Sequence, residues 1–355
     1  MSRIRIKDIA KLAQVSTGTV DRVIHNRPGV SEETRIRIQK IIEETDYQPD
    51  IIAGTLASGR EFRFLVCMPS VVNAHAFWRF PETGLRRALG ELQHFDIKLD
   101  FVRFDQNNPK DFVKQVNVID PEAYEGLLFA PVFRKEAAGF MRKWKDLGKP
   151  VVLFNARVDG ETAESFIGQD AFQSGYLGGK LMSFGLPVEK DLLVVNLSLR
   201  TNNYDHIIRR ENGFRSYFEE HPDRINNLIT LDIPGGQYQD VSAAVEEKMG
   251  MLNVAGIFVT NSRVHLVARY LAERGSMNIR LIGYDLLTEN INYLKREYID
   301  FLISQSPEEQ AYMGLRQLFN VVGLRRPVPT EMLMPIDILT KENIDHYLKF
   351  NLQYE

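Results

Sequence analysis

Thr17, Gly18 and Thr19 form a short polar run, and Arg22 follows one turn later on a similar face of the same predicted helix. Arginine at that place reaches a base edge if the N-terminus of the helix enters a major groove. The helix N-terminus itself attracts phosphate through its free N–H groups and its dipole. On the pattern alone, the other reading stays open: two amphipathic helices that simply pack on another surface. A second chemistry is possible further along, where polar residues stand just beyond short apolar runs. In open parallel sheets that is where ligands bind.

The elements that would carry the first set are readable from spacing. Ile6, Ile9, Ala10, Leu12 and Ala13 recur at helical intervals, while Lys7, Asp8 and Lys11 face away. Gln14-Val15-Ser16 interrupts, and Ser16 is placed to cap a second helix, Thr17 to His25, with Val20, Val23 and Ile24 as its apolar stripe. Two helices joined by about three residues make a helix-turn-helix. Ser31 caps a third, predicted from Glu32 to about Thr45 with Ile36, Ile38, Ile41 and Ile42 inward, and Pro49 ends it. Asp50 to Gly59 follows as a linker, where Gly54 lowers helix propensity by about 1 kcal/mol relative to alanine.

The chain has 355 residues, 44% hydrophobic and 26% charged, which predicts two or three globular domains and excludes disorder and fibrous repeats. The net charge of −3 averages unlike parts: residues 1–60 carry ten basic against eight acidic residues, the remainder 34 against 39. A small basic module joined to a larger acidic one fits that asymmetry. The N-terminus has no apolar h-region and no apolar run approaches a membrane span, so a cytoplasmic protein is expected. The lone Cys67, inside FLVCM, reads as a buried small hydrophobe.

The segment IKDIAKLAQVSTGTVDRVIHNRPGVSEETRIRIQKIIEETDYQP resembles the DNA-binding headpiece of the lactose-repressor and galactose-repressor family of bacterial regulators. The motif residues are Asp8-Ile9-Ala10, Val15-Ser16, Thr19-Val20, Arg22-Val23, Val30-Ser31, Thr34-Arg35, Tyr47 and Pro49. The resemblance implies that Thr17, Gly18 and Arg22 face base edges and that Ser16 and Thr19 hold phosphates. It also implies a hinge helix at 49–61 whose leucine, Leu56 here, wedges into the minor groove and bends the DNA. Three residues depart from the family's pattern: Gln14 for glycine, Asp21 for serine and His25 for asparagine. Asp21 is an anion beside the DNA backbone and weakens phosphate contact unless a cation pairs with it.

From Phe62 the pattern alternates strand and helix: FRFLVCMP, IKLDFVRF, GLLFAPV and PVVLFNA, then DLLVVNLS, LITLDI, GIFVTN and IRLIGYD, with amphipathic helices between. Two such sets predict two parallel sheets with a cleft between the lobes. No strand is followed by GxGxxG, Gly175 to Lys180 is too short for a P-loop, and neither GxSxG nor HExxH occurs. The seven histidines show no metal-ligand spacing, so no cofactor or metal is expected.

This part resembles, over about residues 62–340, the same family's effector core, which shares its two-lobed α/β architecture with periplasmic sugar-binding proteins. By that resemblance Phe77, Trp78, Asn155, Asp170, Arg210, Asn261, Asp285 and Gln305 line the cleft. Chemically the set suits a polyol: aromatic rings stack on a C–H face, while amides, carboxylates and a guanidinium fork pair with adjacent hydroxyls. Asn155, Asn261 and Asp285 read alternatively as strand-end turn residues. Asn73 and His75 are further candidate contacts, Ser262 stands where the family often has an acid, and Arg157 is displaced by one position from the expected cleft arginine. The expected domains are a headpiece at 1–48, the hinge at 49–61, an N-lobe at about 62–162 and 292–326, and a C-lobe at about 163–291 and 327–355. The strand FLISQ is thus expected to lie in the first lobe and EMLMPIDIL to close the second. The expected function is a dimeric repressor of operator DNA, controlled by a sugar-like effector and not an enzyme. The alternatives are a sugar-binding protein outside transcription, or an enzyme acting on a small polar substrate.

Overall fold

A computed structural model describes residues 4–24, 26–47, 51–71, 77–158, 160–187, 190–197, 205–224, 227–234 and 237–352; His25, Pro49, Asp50, Asn73 and His75 lie outside these. The chain divides into two units, Met1–Arg60 and Glu61–Glu355.

In the first unit, α1 (Ile6–Ala13), α2 (Thr17–Ile24) and α3 (Glu32–Glu44) enclose a small core of Ile9, Ala10, Ala13, Val20, Val23 and Ile38. The stripe is narrower than the periodicity predicts, because Leu12 and Ile36 point into solvent, 60% and 57% exposed. A three-helix module this small has too little interior to bury every apolar position. Ser16 caps α2 as expected, its Oγ accepting from the Thr19 N–H at 3.2 Å. Ser31 does the same for α3 through Thr34. Gln14 ends α1 in the left-handed region, φ 55° and ψ 46°, a conformation that favours glycine. The expected linker contains a fourth helix, α4 (Ile51–Ser58), with no buried residue.

The second unit is two similar sheets. One has strand order β2-β1-β3-β4-β5-β11, from β1 (Glu61–Pro69), β2 (Asp96–Phe104), β3 (Gly126–Phe129), β4 (Val151–Phe154), β5 (Ser165–Gly168) and β11 (Glu331–Leu333). The other has order β7-β6-β8-β9-β10-β12, from β6 (Asp191–Leu197), β7 (Leu228–Ile233), β8 (Val254–Val259), β9 (Arg280–Tyr284), β10 (Phe301–Ser304) and β12 (Asp337–Leu339). The order repeats strand for strand. All pairings are parallel except β10 with β12, which is antiparallel. Fully buried strands such as β3, β4, β6 and β8 read as continuous apolar runs because helices cover both faces.

The lobe bounds expected from sequence move in three places. Strand β5 begins at Ser165 but pairs with β4 in the first sheet; β10, expected in the first lobe, pairs Phe301 with Ile282 of the second. Strand β11, expected to close the second lobe, pairs with β5 in the first. Short apolar strands carry no local mark of which sheet they join, so pairing decides. The chain therefore crosses between lobes at 169–170, 305–306 and 334–336. After the second crossing α13 (Pro307–Val322) returns to pack on α5 (Arg79–Glu91) of the first lobe. Gly84 permits that approach, since a Cβ there would stand 2.0 Å from the Glu308 carbonyl oxygen. In the second lobe α8 (Ala171–Ser183) and α9 (Asp205–Glu220) pack through Gly175, where a Cβ would meet the Arg210 carbonyl oxygen at 1.9 Å. A last helix, α14 (Ile344–Leu352), follows β12.

Candidate functional sites

In the first unit the side chains at the start of α2 are presented to solvent: Ser16, Thr17, Gly18 and Arg22 are exposed and Thr19 is half-buried. The Ser16 and Thr19 hydroxyls lie 3.0 Å apart, so two groups expected at phosphate are already oriented by each other. Asp21, the expected liability, faces Arg27 at 3.3 Å; a cation does pair with it. Leu56 on α4 is 41% exposed, as are Ile51 and Ile52.

In the second unit a cavity of about 250 Å³ opens between the ends of the two sheets. The first lobe lines it with Ser70, Phe77, Trp78, Gln106, Asn107, Val132 and Asn155, none of them charged. Among the described residues every ionisable lining group comes from the second lobe: His206 and Arg210 of α9, Arg263 and His265 at the start of α11 (Val264–Glu273), Asp285 beyond β9, and Glu289 at the start of α12 (Thr288–Lys295).

The repeat in topology reaches the site. Asn155 follows β4 with φ 70° and its N–H donates to Ile167; Asp285 follows β9 with φ 69° and its N–H donates to Ile303, each bond 3.0 Å. The two residues occupy equivalent turns at the mouths of their sheets. They are strand-end turn residues and cavity residues at once.

Arg210 is 2% exposed. Its Nη1 donates to the Thr260 carbonyl at 2.8 Å, its Nη2 to Gln305 Oε1, and its guanidinium carbon sits 3.8 Å from the Tyr284 ring centroid. Gln305 in turn donates through Nε2 to Asp285 Oδ2 at 2.7 Å, so an amide bridges cation and anion. Burial pushes the Asp285 carboxyl up to about 6 although Arg210 and Gln305 pull it down. Burial, with Arg210 beside it, pushes His206 down to about 3, which keeps the imidazole neutral. Arg210 Nε and Asp285 Oδ1 are buried without a hydrogen-bond partner among the described residues. Such atoms are costly to leave unmet.

Seven of the eight expected cleft residues thus line one cavity: Phe77, Trp78, Asn155, Arg210, Asn261, Asp285 and Gln305. Asp170 does not. Its carboxylate accepts from the Gln173 N–H at 2.9 Å and caps α8, a use of aspartate that needs no ligand. Trp78 is 5% exposed and its indole N–H donates to Gln106 at 2.8 Å, leaving half-buried Phe77 as the more accessible ring. Asn261 Nδ2 donates to Leu197 and its Oδ1 accepts from the Arg263 N–H. Ser262 lies in the lining, whereas Arg157 stacks on Phe166 and pairs with Glu331 away from the cavity. The sequence reading missed Ser70, Gln106, Asn107, His206, Arg263, His265 and Glu289. Their shared signal is position, just after a strand or in the first turn of the next helix.

The model of the bacterial regulatory proteins of the lacI family matches residues 5–50, and the periplasmic binding protein domain matches residues 65–324. The chain belongs to the LacI family. A Bacillus subtilis relative, described as the probable HTH-type transcriptional repressor ExuR, is 28% identical over 47% of this chain and 47% of its own length. The regulator MalR of Streptococcus pneumoniae is 26% identical over 64% of this chain and 76% of its own. A solved chain from Bacteroides fragilis, assigned to the LacI transcriptional regulators, superposes with a TM-score of 0.76 at 27% identity, covering 81% of this chain and all of that one. No helix among the described residues is long and apolar enough to cross a membrane.

Proposed function

We propose that this LacI-family chain is a sequence-specific, DNA-binding transcriptional repressor that acts as a homodimer in the cytoplasm. In this reading Thr17, Gly18 and Arg22 read base edges, Ser16 and Thr19 hold phosphates, and Leu56 enters the minor groove. A small sugar-like effector sits between the lobes on Phe77, Trp78, Asn155, Arg210, Asn261, Asp285 and Gln305. The reading rests on the pairing, within one chain, of a headpiece whose polar turn faces solvent and a cavity whose buried Arg210 Nε and Asp285 Oδ1 lack partners among the described residues. Two-fold symmetry follows from the headpiece, since successive half-sites on DNA lie about 34–36 Å apart and each needs its own reader. Differential affinity of the effector for two lobe arrangements then changes operator affinity.

The test is selection of random duplexes by the purified protein, with and without a panel of sugars and sugar phosphates. A near-palindromic site whose recovery changes with one compound is the expected result. Failure to enrich any duplex under any condition removes the DNA-binding half of the reading; an enriched site that no compound alters removes the effector half.

A further inference from the structure

Gln169 stands where the chain first leaves the first lobe, between the end of β5 and the Asp170 cap of α8, and it is 7% exposed. Its Nε2 donates to the Ser304 carbonyl at 2.8 Å and to the Pro335 carbonyl at 2.9 Å. Ser304 ends β10 at the entry to the second crossing, and Pro335 lies within the third. One amide group therefore holds all three passages of chain between the lobes. The Met334 N–H adds a bond to the Gly168 carbonyl, 2.8 Å, which keeps the first and third passages side by side.

The next residue of the second passage is Gln305, the amide that bridges Arg210 and Asp285 in the cavity. Its own carbonyl accepts from buried Gln310 Nε2 at 2.7 Å. Ser304 and Gln305 are thus fixed on one side by Gln169 and on the other by Gln310. We propose that Gln169 is a positioning residue: by clamping the three crossings it sets the angle between the lobes and keeps Gln305 in register with Arg210 and Asp285. A primary amide is the group this needs, because a single nitrogen must offer two hydrogens to two carbonyls. A carboxylate of the same shape turns lone pairs toward both carbonyls, and a methionine of similar length offers nothing to either.

For its link to effector binding the clamp rests on the function proposed above, but its geometry can be tested alone. In the full chain, spin labels at Lys110→Cys on α6 (Pro109–Asn117) and Glu247→Cys on α10 (Tyr238–Met251) report the distance between lobes, since native Cys67 is buried. The expected result for Gln169→Met is a distance distribution broadened or displaced by several ångströms relative to the parent, with unchanged far-ultraviolet circular dichroism. A role limited to stability lowers the melting temperature and leaves that distribution alone; superposable distributions overturn the proposal. Gln169→Glu serves where Gln169→Met fails to fold. Titration of parent and variant with D-glucose, D-galactose and D-arabinose then separates the two ideas. An apparent affinity at least tenfold weaker in the variant supports the link to the cavity, and equal affinities overturn that link. A parent that binds no sugar sinks the effector reading, while the label distances still decide the clamp.

Discussion

In the first sixty residues the candidate contact groups stand in water: Thr17, Gly18 and Arg22 are exposed, and the small core behind them contains none of them. In the two-lobed body Arg210, Asp285 and Gln305 are 2%, 2% and 6% exposed and are bonded to one another. A solvent-facing contact can be changed at the cost of recognition alone. A buried one belongs to the folding free energy as well, so recognition and stability move together.

Arg210→Met tests that contrast where the effect is largest. It keeps most of the volume but strands Gln305 Oε1 and leaves Asp285 without its cation, and a loss of about 3–5 kcal/mol is expected on urea unfolding. A stable variant would show that the amide bridge alone compensates Asp285. Acid titration sharpens the picture of the same buried pair. Between pH 6.5 and 3 the unfolded chain binds a proton that folded His206 refuses, so that residue lowers stability as pH falls through this window. Between about 6 and 4 folded Asp285 binds a proton before the unfolded chain does, which raises stability over that range. The two contributions oppose each other. Asp285→Asn is therefore expected to make stability fall by about 1.4 kcal/mol more per pH unit between pH 6 and 4 than in the parent; parallel curves would exclude Asp285 from the titration.

Arg22→Ala is the exposed counterpart. Operator affinity is expected to fall by about 1–3 kcal/mol with the unfolding midpoint unchanged, and a shifted midpoint would blur the distinction between the two regions. The smallest effect belongs to Gln14→Gly. Removing a side chain from a left-handed residue, φ 55°, is expected to stabilise the headpiece by about 1 kcal/mol in thermal unfolding.

The same contrast governs what the sequence discloses. The caps of α2 and α3 involve residues three apart, so position just before an apolar stripe is enough to locate Ser16 and Ser31, whose partners are Thr19 and Thr34. The cavity assembles residues from position 70 to position 305, and only those beside an apolar run leave a local signature. The resemblance named Asn155 and Asp285, which also stand just after apolar runs, whereas His206 and Glu289, in the first turns of helices, were named by neither signal. Asp170 misled because an N-cap aspartate and a ligand aspartate look alike in sequence. Gln169, one residue earlier, carries no mark at all, since its partners are main-chain carbonyls far along the chain. The lobe of β10 was misjudged because its three apolar residues, Phe301, Leu302 and Ile303, suit either sheet.

Ile207 of α9 belongs to the second lobe, yet it is 2% exposed within the apolar cluster that contains Trp78, Val132 and Phe133 of the first. Opening the cleft moves that side chain toward water, at a cost of about 1.5–3 kcal/mol for full exposure. That burial favours the closed arrangement whether or not a small molecule is bound. If the cleft takes an effector as proposed, then the more tightly Ile207 holds the lobes together unaided, the smaller the factor by which that effector can change operator affinity.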